Sequence, residues 1–266
     1  MSKRALLVGI NYIGTSCALG GCINDVLNIK QILISKYGYP EGNILLLTDN
    51  TVHKPTAANI LEAFVWLLSE SPASYYKTRK YIAIRSNLKL YFHYSGHGSQ
   101  VPDRNKDESD GKDETLCPLD YASAGMLTDD VIRLYLASKV PSNCQLISII
   151  DACHSESSFD LMWTCVPTYN GFFLNKVEQY IATAGTVIML SGCKDAQTSA
   201  DINVAGKGQG ALTYSVLEVL KKSNYSISLD NLLKEVRSFI ITNKLSDQVP
   251  CLSLGKFVDI TLKINF

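Results

Sequence analysis

The sequence has no excess of either charge: 25 Lys and Arg stand against 25 Asp and Glu. That balance removes the electrostatic reason to expect nucleic acid or an anionic membrane as a partner. No apolar run approaches the roughly 20 residues of a membrane span. The apolar stretch near the amino end, residues 5–10, is too short for a signal-peptide core and lacks a small-residue cleavage site. There are eight cysteines, at 17, 22, 117, 144, 153, 165, 193 and 251, yet no two are spaced Cys-x-x-Cys. They read as free thiols in a reducing compartment, which places the chain inside the cell, in the cytoplasm. No repeat, low-complexity tract or domain linker breaks the pattern. What is present is apolar: 46% of the 266 residues are hydrophobic and 19% charged, enough for one sizeable core.

Short apolar runs predict strands at 4–10, 43–48, 88–94, 145–150 and 186–191, and alternation predicts a last strand at 256–264. Helical spacing predicts helices over 23–37, 56–69, 129–138, 210–222 and 229–243. The polar, acid-rich stretch 99–125 reads as a loop. Residues 159–184 are poorly periodic and stay unassigned. Strands alternating with helices predict an α/β fold with a mostly parallel central sheet and helices on both faces.

Two apolar runs end in reactive groups. One closes on Ser95-Gly96-His97-Gly98, the other on Asp151-Ala152-Cys153-His154. In open α/β sheets such groups gather at the carboxyl ends of the strands. A thiol and an imidazole delivered there form a nucleophile–base pair. The alternative for Cys153 is a buried structural thiol, and for His97 a satisfied core or surface histidine. The polar residues after Cys153 put it at a rim, where a nearby imidazole favours the thiolate. The backbone N–H groups of Gly98 and Cys153 are candidates for an oxyanion hole. A zinc reading of His93, His97, Cys153 and His154 is also open, although no pair among them has the usual zinc spacing.

The acids form two further groups. Residues 103–114 alternate oxygen ligands as calcium sites do, but Glu108 stands where an EF-hand loop needs glycine. The alternative is a solvated acidic loop, and Asp129 and Asp130 have the parallel reading of acids at a helix N-terminus. Cys22, Asp25, Ser95 and Asp151 form the other group. If Asp25 and Asp151 face the thiol, they favour a basic substrate side chain.

These strings resemble the metacaspases, caspase-like cysteine peptidases of clan CD. The resemblance rests on Gly21-Cys22-Ile23-Asn24-Asp25, Tyr94-Ser95-Gly96-His97-Gly98-Ser99, Asp110-Gly111-Lys112-Asp113-Glu114, Cys117-Pro118-Leu119-Asp120, Leu127-Thr128-Asp129-Asp130, Asp151-Ala152-Cys153-His154-Ser155 and the run 191–201. It implies a caspase-hemoglobinase fold, with residues 1–266 as one caspase-like domain. The large-subunit-like part covers about 1–175 and the small-subunit-like part about 180–266, in a layout similar to a type I or minimal form without prodomain. It implies a monomeric, calcium-dependent endopeptidase that cleaves protein or peptide substrates after Arg or Lys. His97 is then the base and Cys153 the nucleophile. Cys22, Asp25, Ser95 and Asp151 line the specificity pocket, and Asp113, Asp129, Asp130 and Asp160 bind calcium. Glu156 stands where the family has glycine, which leaves an inactive caspase-like scaffold or a calcium-binding module as the alternative function. Metacaspases resembling this chain often cut themselves after a basic residue. Lys207, in the glycine-rich run 203–210, is one candidate and reads as exposed loop; Lys176, in the unassigned stretch, is its rival.

Overall fold

The computed structural model describes residues 2–69, 87–192 and 201–266, apart from 105, 107, 109, 110, 156, 169, 170, 205, 206 and 265. Along the chain run β1 (Ser2–Gly9), α1 (Cys22–Ser35), β2 (Ile44–Thr48), α2 (Ala57–Leu68), β3 (Leu88–Ser95), β4 (Gly98–Pro102), β5 (Lys112–Leu116) and α3 (Tyr121–Ala124). They are followed by β6 (Leu127–Thr128), α4 (Asp129–Tyr135), β7 (Gln145–Asp151), β8 (Trp163–Thr168), β9 (Gly171–Lys176) and β10 (Thr186–Ser191). The chain ends with β11 (Asp201–Val204), β12 (Lys207–Gly210), α5 (Ala211–Lys222), α6 (Leu229–Thr242) and β13 (Cys251–Leu254).

The main sheet has eight strands in the order β2-β1-β3-β7-β10-β13-β8-β9. The first five are parallel and the last three antiparallel. Burial on both faces explains the unbroken apolar runs of the parallel strands. In β1, Leu6 and Val8 pack towards Ile60, Phe64 and Leu67 of α2. Ala5 and Leu7 pack on the other side, in the core shared with Val26 and Ile29 of α1 and Leu212 and Val216 of α5. Helix starts follow from capping chemistry. Thr56 accepts from the Asn59 N–H at the head of α2, and Thr128 accepts from the Val131 N–H at the head of α4.

Four expectations change. Residues 99–125 are not one loop: β4, β5 and β6 make a three-stranded antiparallel sheet. Its central strand buries Asp113, Glu114 and Thr115, so acids that look solvated in sequence lie inside. The unassigned stretch holds the β8–β9 hairpin, and Lys176 ends its outer strand. The last strand is 251–254, not 256–264; beyond Gly255 the chain turns, and Phe257 and Leu262 are exposed. Lys207 does not sit in a loop. It opens β12, which pairs with β11 from Asp201↔Gly210 to Val204↔Lys207. The glycines there serve close packing: a methyl group on Gly208 would lie 2.7 Å from the Gly20 backbone. Glu156, Asp110 and residues 193–200 of the resemblance lie outside the described residues.

Candidate active site

Strands β3 and β7 are parallel neighbours, and Ser95 is paired with Asp151 at their carboxyl ends. Two residues further on each chain come His97 and Cys153. Since paired strands run about 4.8 Å apart, this register delivers imidazole and thiol to one rim. The turns touch: the Gly96 N–H donates to the Asp151 carbonyl at 3.3 Å. A methyl group on Gly98 would come within 2.1 Å of the Cys153 carbonyl oxygen, so position 98 tolerates no side chain. Cys153 is partly exposed, as an attacking thiol must be.

The imidazole is held from behind. His97 Nε2 lies 2.7 Å from the Cys17 carbonyl oxygen. A carbonyl only accepts, so Nε2 carries the proton and Nδ1 is left as the basic nitrogen. The Tyr12 ring packs against the imidazole with centroids 4.7 Å apart. The Tyr12 hydroxyl accepts from the His97 N–H at 3.0 Å and donates to the Cys117 carbonyl at 2.6 Å. The Tyr94 hydroxyl donates to the His97 carbonyl at 2.8 Å. Burial raises both phenols, so they stay neutral and act as fixed hydrogen-bonding posts. Burial also pushes the Cys117 thiol up to about 12, with the nearby Cys153 and Cys17 thiols adding to the shift. Cys17 and Cys117 act through carbonyls, and Tyr12 and Tyr94 through hydroxyls that meet backbone groups, so the sequence does not mark them as site residues. The signal available was Tyr94 inside the Ser95–Gly98 motif.

Beside this rim the four predicted pocket residues are buried together. Cys22 starts α1, and Asp25 follows in its first turn. Asp25 Oδ2 accepts from the Ser95 hydroxyl at 2.7 Å, and the Asp25 carboxylate accepts from the Gly210 N–H at 3.0 and 3.1 Å. Asp151 Oδ2 accepts from both the N–H and the hydroxyl of Thr213 at 2.8 Å. Thr213 lies in the first turn of α5, so the positive end of the helix faces the carboxylate. The two acids converge on Gly210, where a methyl group would lie 2.2 Å from Asp151 Oδ2 and 2.8 Å from Asp25 Oδ2. Gly210 and Thr213 were not singled out in the sequence, although the glycine run ahead of an apolar helix marks the spot.

A third group lies where β5 meets the start of α4. Asp113, Asp129 and Asp130 each place an oxygen within 4.8 Å of the others, and Glu108, Glu114 and Asp129 form a second such set. Asp129 is 2% exposed, and burial pushes its carboxyl up to about 8, helped by the charges of Glu114 and Asp113. The fourth predicted ligand, Asp160, is not part of these sets. It is buried, with its backbone carbonyl bonded by Arg133. Its charge joins those of Glu108 and Asp129 in raising Tyr180, after burial itself. Among the described residues no histidine or cysteine enters a metal-holding group, which counts against the zinc reading. His93 instead lies wholly inside the sheet.

Comparison with known proteins follows the same lines. The family described as metacaspase, peptidase C14 domain, matches residues 3–162. A metacaspase-1 of Schizosaccharomyces pombe is 34% identical, over 98% of this chain and 69% of its own length. A metacaspase-1 of Cryptococcus neoformans is 35% identical, over 83% of this chain and 56% of its own, so the chain spans only part of its relatives. A crystal structure of a Geobacter sulfurreducens protein shares the fold at a TM-score of 0.66 and 23% identity, covering 97% of this chain and 95% of that one. Among the described residues no helix is long and apolar enough to cross a membrane. The chain belongs to the metacaspase family of cysteine-type peptidases.

Proposed function

We propose that the protein is a calcium-dependent endopeptidase that cleaves polypeptides after Arg or Lys. The observation that carries this reading is the β3–β7 register, which sets His97 beside Cys153 with Nε2 committed to the Cys17 carbonyl. Nδ1 is then free to take the thiol proton. The Cys153 thiolate attacks the scissile carbonyl, and the N–H groups of Gly98 and Cys153 receive the developing oxyanion. His97 passes its proton to the leaving amine, an acyl-enzyme forms, and a water deprotonated by His97 releases the acid.

Basic specificity rests on Asp25 and Asp151, which are buried, adjacent and held by neutral donors. A guanidinium or ammonium group entering beside them is charge-paired there. Asp113, Asp129, Asp130 and Asp160 would hold calcium, a hard cation that takes several carboxylate oxygens. Bound calcium supplies the positive charge that offsets repulsion among these acids. The crowding of Asp113, Asp129 and Asp130, and the upward push on Asp129, fit such an ion. The two self-cleavage candidates both lie at the end of a hairpin strand: Lys176 closes β9 opposite Trp163, with its side chain exposed, and Lys207 opens β12 opposite Val204.

The test uses fluorogenic peptides ending in Arg, Lys or Asp, with calcium and then with EGTA. Hydrolysis of the Arg and Lys peptides only, with calcium only, and its loss in Cys153→Ala, is the expected result. Hydrolysis of the Asp peptide, or full rates in EGTA, would overturn the specificity or the calcium reading in turn.

A further inference from the structure

Glu114 stands between the acid group and the segment that carries Cys153. It lies on β5 beside Asp113 and is 1% exposed. Its backbone N–H donates to Asp129 Oδ2 at 2.7 Å, which makes its peptide unit part of the proposed cation site. Its carboxylate, also close to Asp129, has two further contacts. Oε1 accepts from Gln100 Nε2 at 2.8 Å, across the β4–β5 pair, and Oε2 accepts from the Ser157 hydroxyl.

Ser157 is four residues past Cys153. Residues 152–155 are tied together, since the Ser155 hydroxyl donates to the Ala152 carbonyl at 3.0 Å. The Asp160 N–H donates to the Ser157 carbonyl at 2.8 Å. Movement at Ser157 therefore has little chain in which to dissipate before it reaches Cys153. A hydroxyl bonded to a buried carboxylate is a charge-assisted contact, stronger than a neutral one. Glu114 is also within 4.8 Å of Asp129, oxygen to oxygen, so the two carboxylates repel. A cation beside Asp129 would offset that repulsion and let the Glu114 peptide and side chain settle in place against Ser157.

We propose that the Glu114–Ser157 hydrogen bond is the latch through which the cation site sets the Cys153 segment, with both as positioning residues. This rests on the calcium reading above. The experiment measures alkylation of Cys153 by iodoacetamide, resolved by peptide mass spectrometry, in the full chain with calcium or EGTA. Calcium titration by calorimetry runs alongside. In the wild type calcium should speed alkylation about tenfold, within the usual span of coupling between sites. Ser157→Ala should bind calcium as tightly as wild type yet keep its EGTA rate of alkylation. Its kcat should fall with KM little changed, and Ser157→Thr, which keeps the hydroxyl, should restore the response. Full acceleration in Ser157→Ala at unchanged calcium affinity ends the latch and leaves the calcium reading standing. Calcium affinity falling in step with reactivity ends it too, because Ser157 would then belong to the cation site. A wild type indifferent to calcium ends both readings.

Discussion

Asp25 and Asp151 are as deeply buried as Asp113 and Asp129, yet the protein treats the two pairs differently. The first pair is met by neutral donors: a serine hydroxyl, a glycine N–H and the leading turn of α5. Those groups stabilise negative charge by hydrogen bonding and through the positive end of a helix. The second pair sits among its own kind. Asp130, Glu114 and Glu108 crowd Asp129, and its carboxyl is pushed up to about 8. A buried acid among acids is costly until a cation arrives and stays. Burial and residue type are alike in the two places; the neighbours differ, donors around one pair and further acids around the other.

Substitutions can break this contrast. The largest effect is expected from Asp25→Ala. Removing one member of a buried charge pair costs about 2–5 kcal/mol, so kcat/KM after Arg should fall roughly 30-fold or more. Calcium affinity, measured by calorimetry, should not move. Gly210→Ala comes next. Its methyl group has no room between the two carboxylates, and overpacking of about 1–3 kcal/mol should weaken cleavage and lower Tm, again without touching calcium binding.

Asparagine replacements sharpen the comparison. Asp129→Asn keeps an oxygen for the Glu114 N–H and, above about pH 8, where the Asp129 carboxyl has given up its proton, removes one repelling charge. In EGTA it should raise Tm, by about 2–4 °C for each kcal/mol of relieved repulsion, while abolishing the rise that calcium brings. Asp151→Asn loses charge that the α5 terminus favours and should lower Tm by about 1–4 °C, since such contacts are worth about 0.3–1 kcal/mol. Two shifts of the same sign would erase the distinction drawn between the sites.

His93 supplies a control with a single buried titratable group, flanked on its strand neighbours by Leu7 and Ile149. Burial lowers its imidazole to about 3, against roughly 6.5 in an unfolded chain. The unfolded chain then binds the proton more readily, so stability is full above about pH 6.5 and drains away as pH falls towards 3. Thermal melts of wild type should steepen across that window, and those of His93→Leu should be flatter. Identical pH profiles would show that the buried imidazole finds a proton-holding partner.

Much of this architecture is legible in the residues because parallel strands buried on both faces must be apolar throughout. The runs ending at His97 and Cys153 announce themselves, and with them the rim. Residues 99–125 defeat the same logic. Asp113 and Glu114 carry the mark of solvated chain, and the hydrogen bonds from Gln100 and Ser157 reveal how the Glu114 carboxylate can be inside. The run 203–210 misleads in another way. Its glycines suggest pliability, yet Gly208 and Gly210 are there because Gly20 and two carboxylates press against them. Cys17 is invisible for a third reason: a carbonyl that orients an imidazole can come from any residue.

The most direct test of the central claim is covalent labelling by an arginyl chloromethyl ketone peptide in calcium, mapped by mass spectrometry. The account predicts one adduct, on Cys153, formed at least about 10²-fold more slowly in His97→Ala, the scale of a lost general base. An adduct on another cysteine, or undiminished peptide hydrolysis by a folded Cys153→Ala protein, would contradict it.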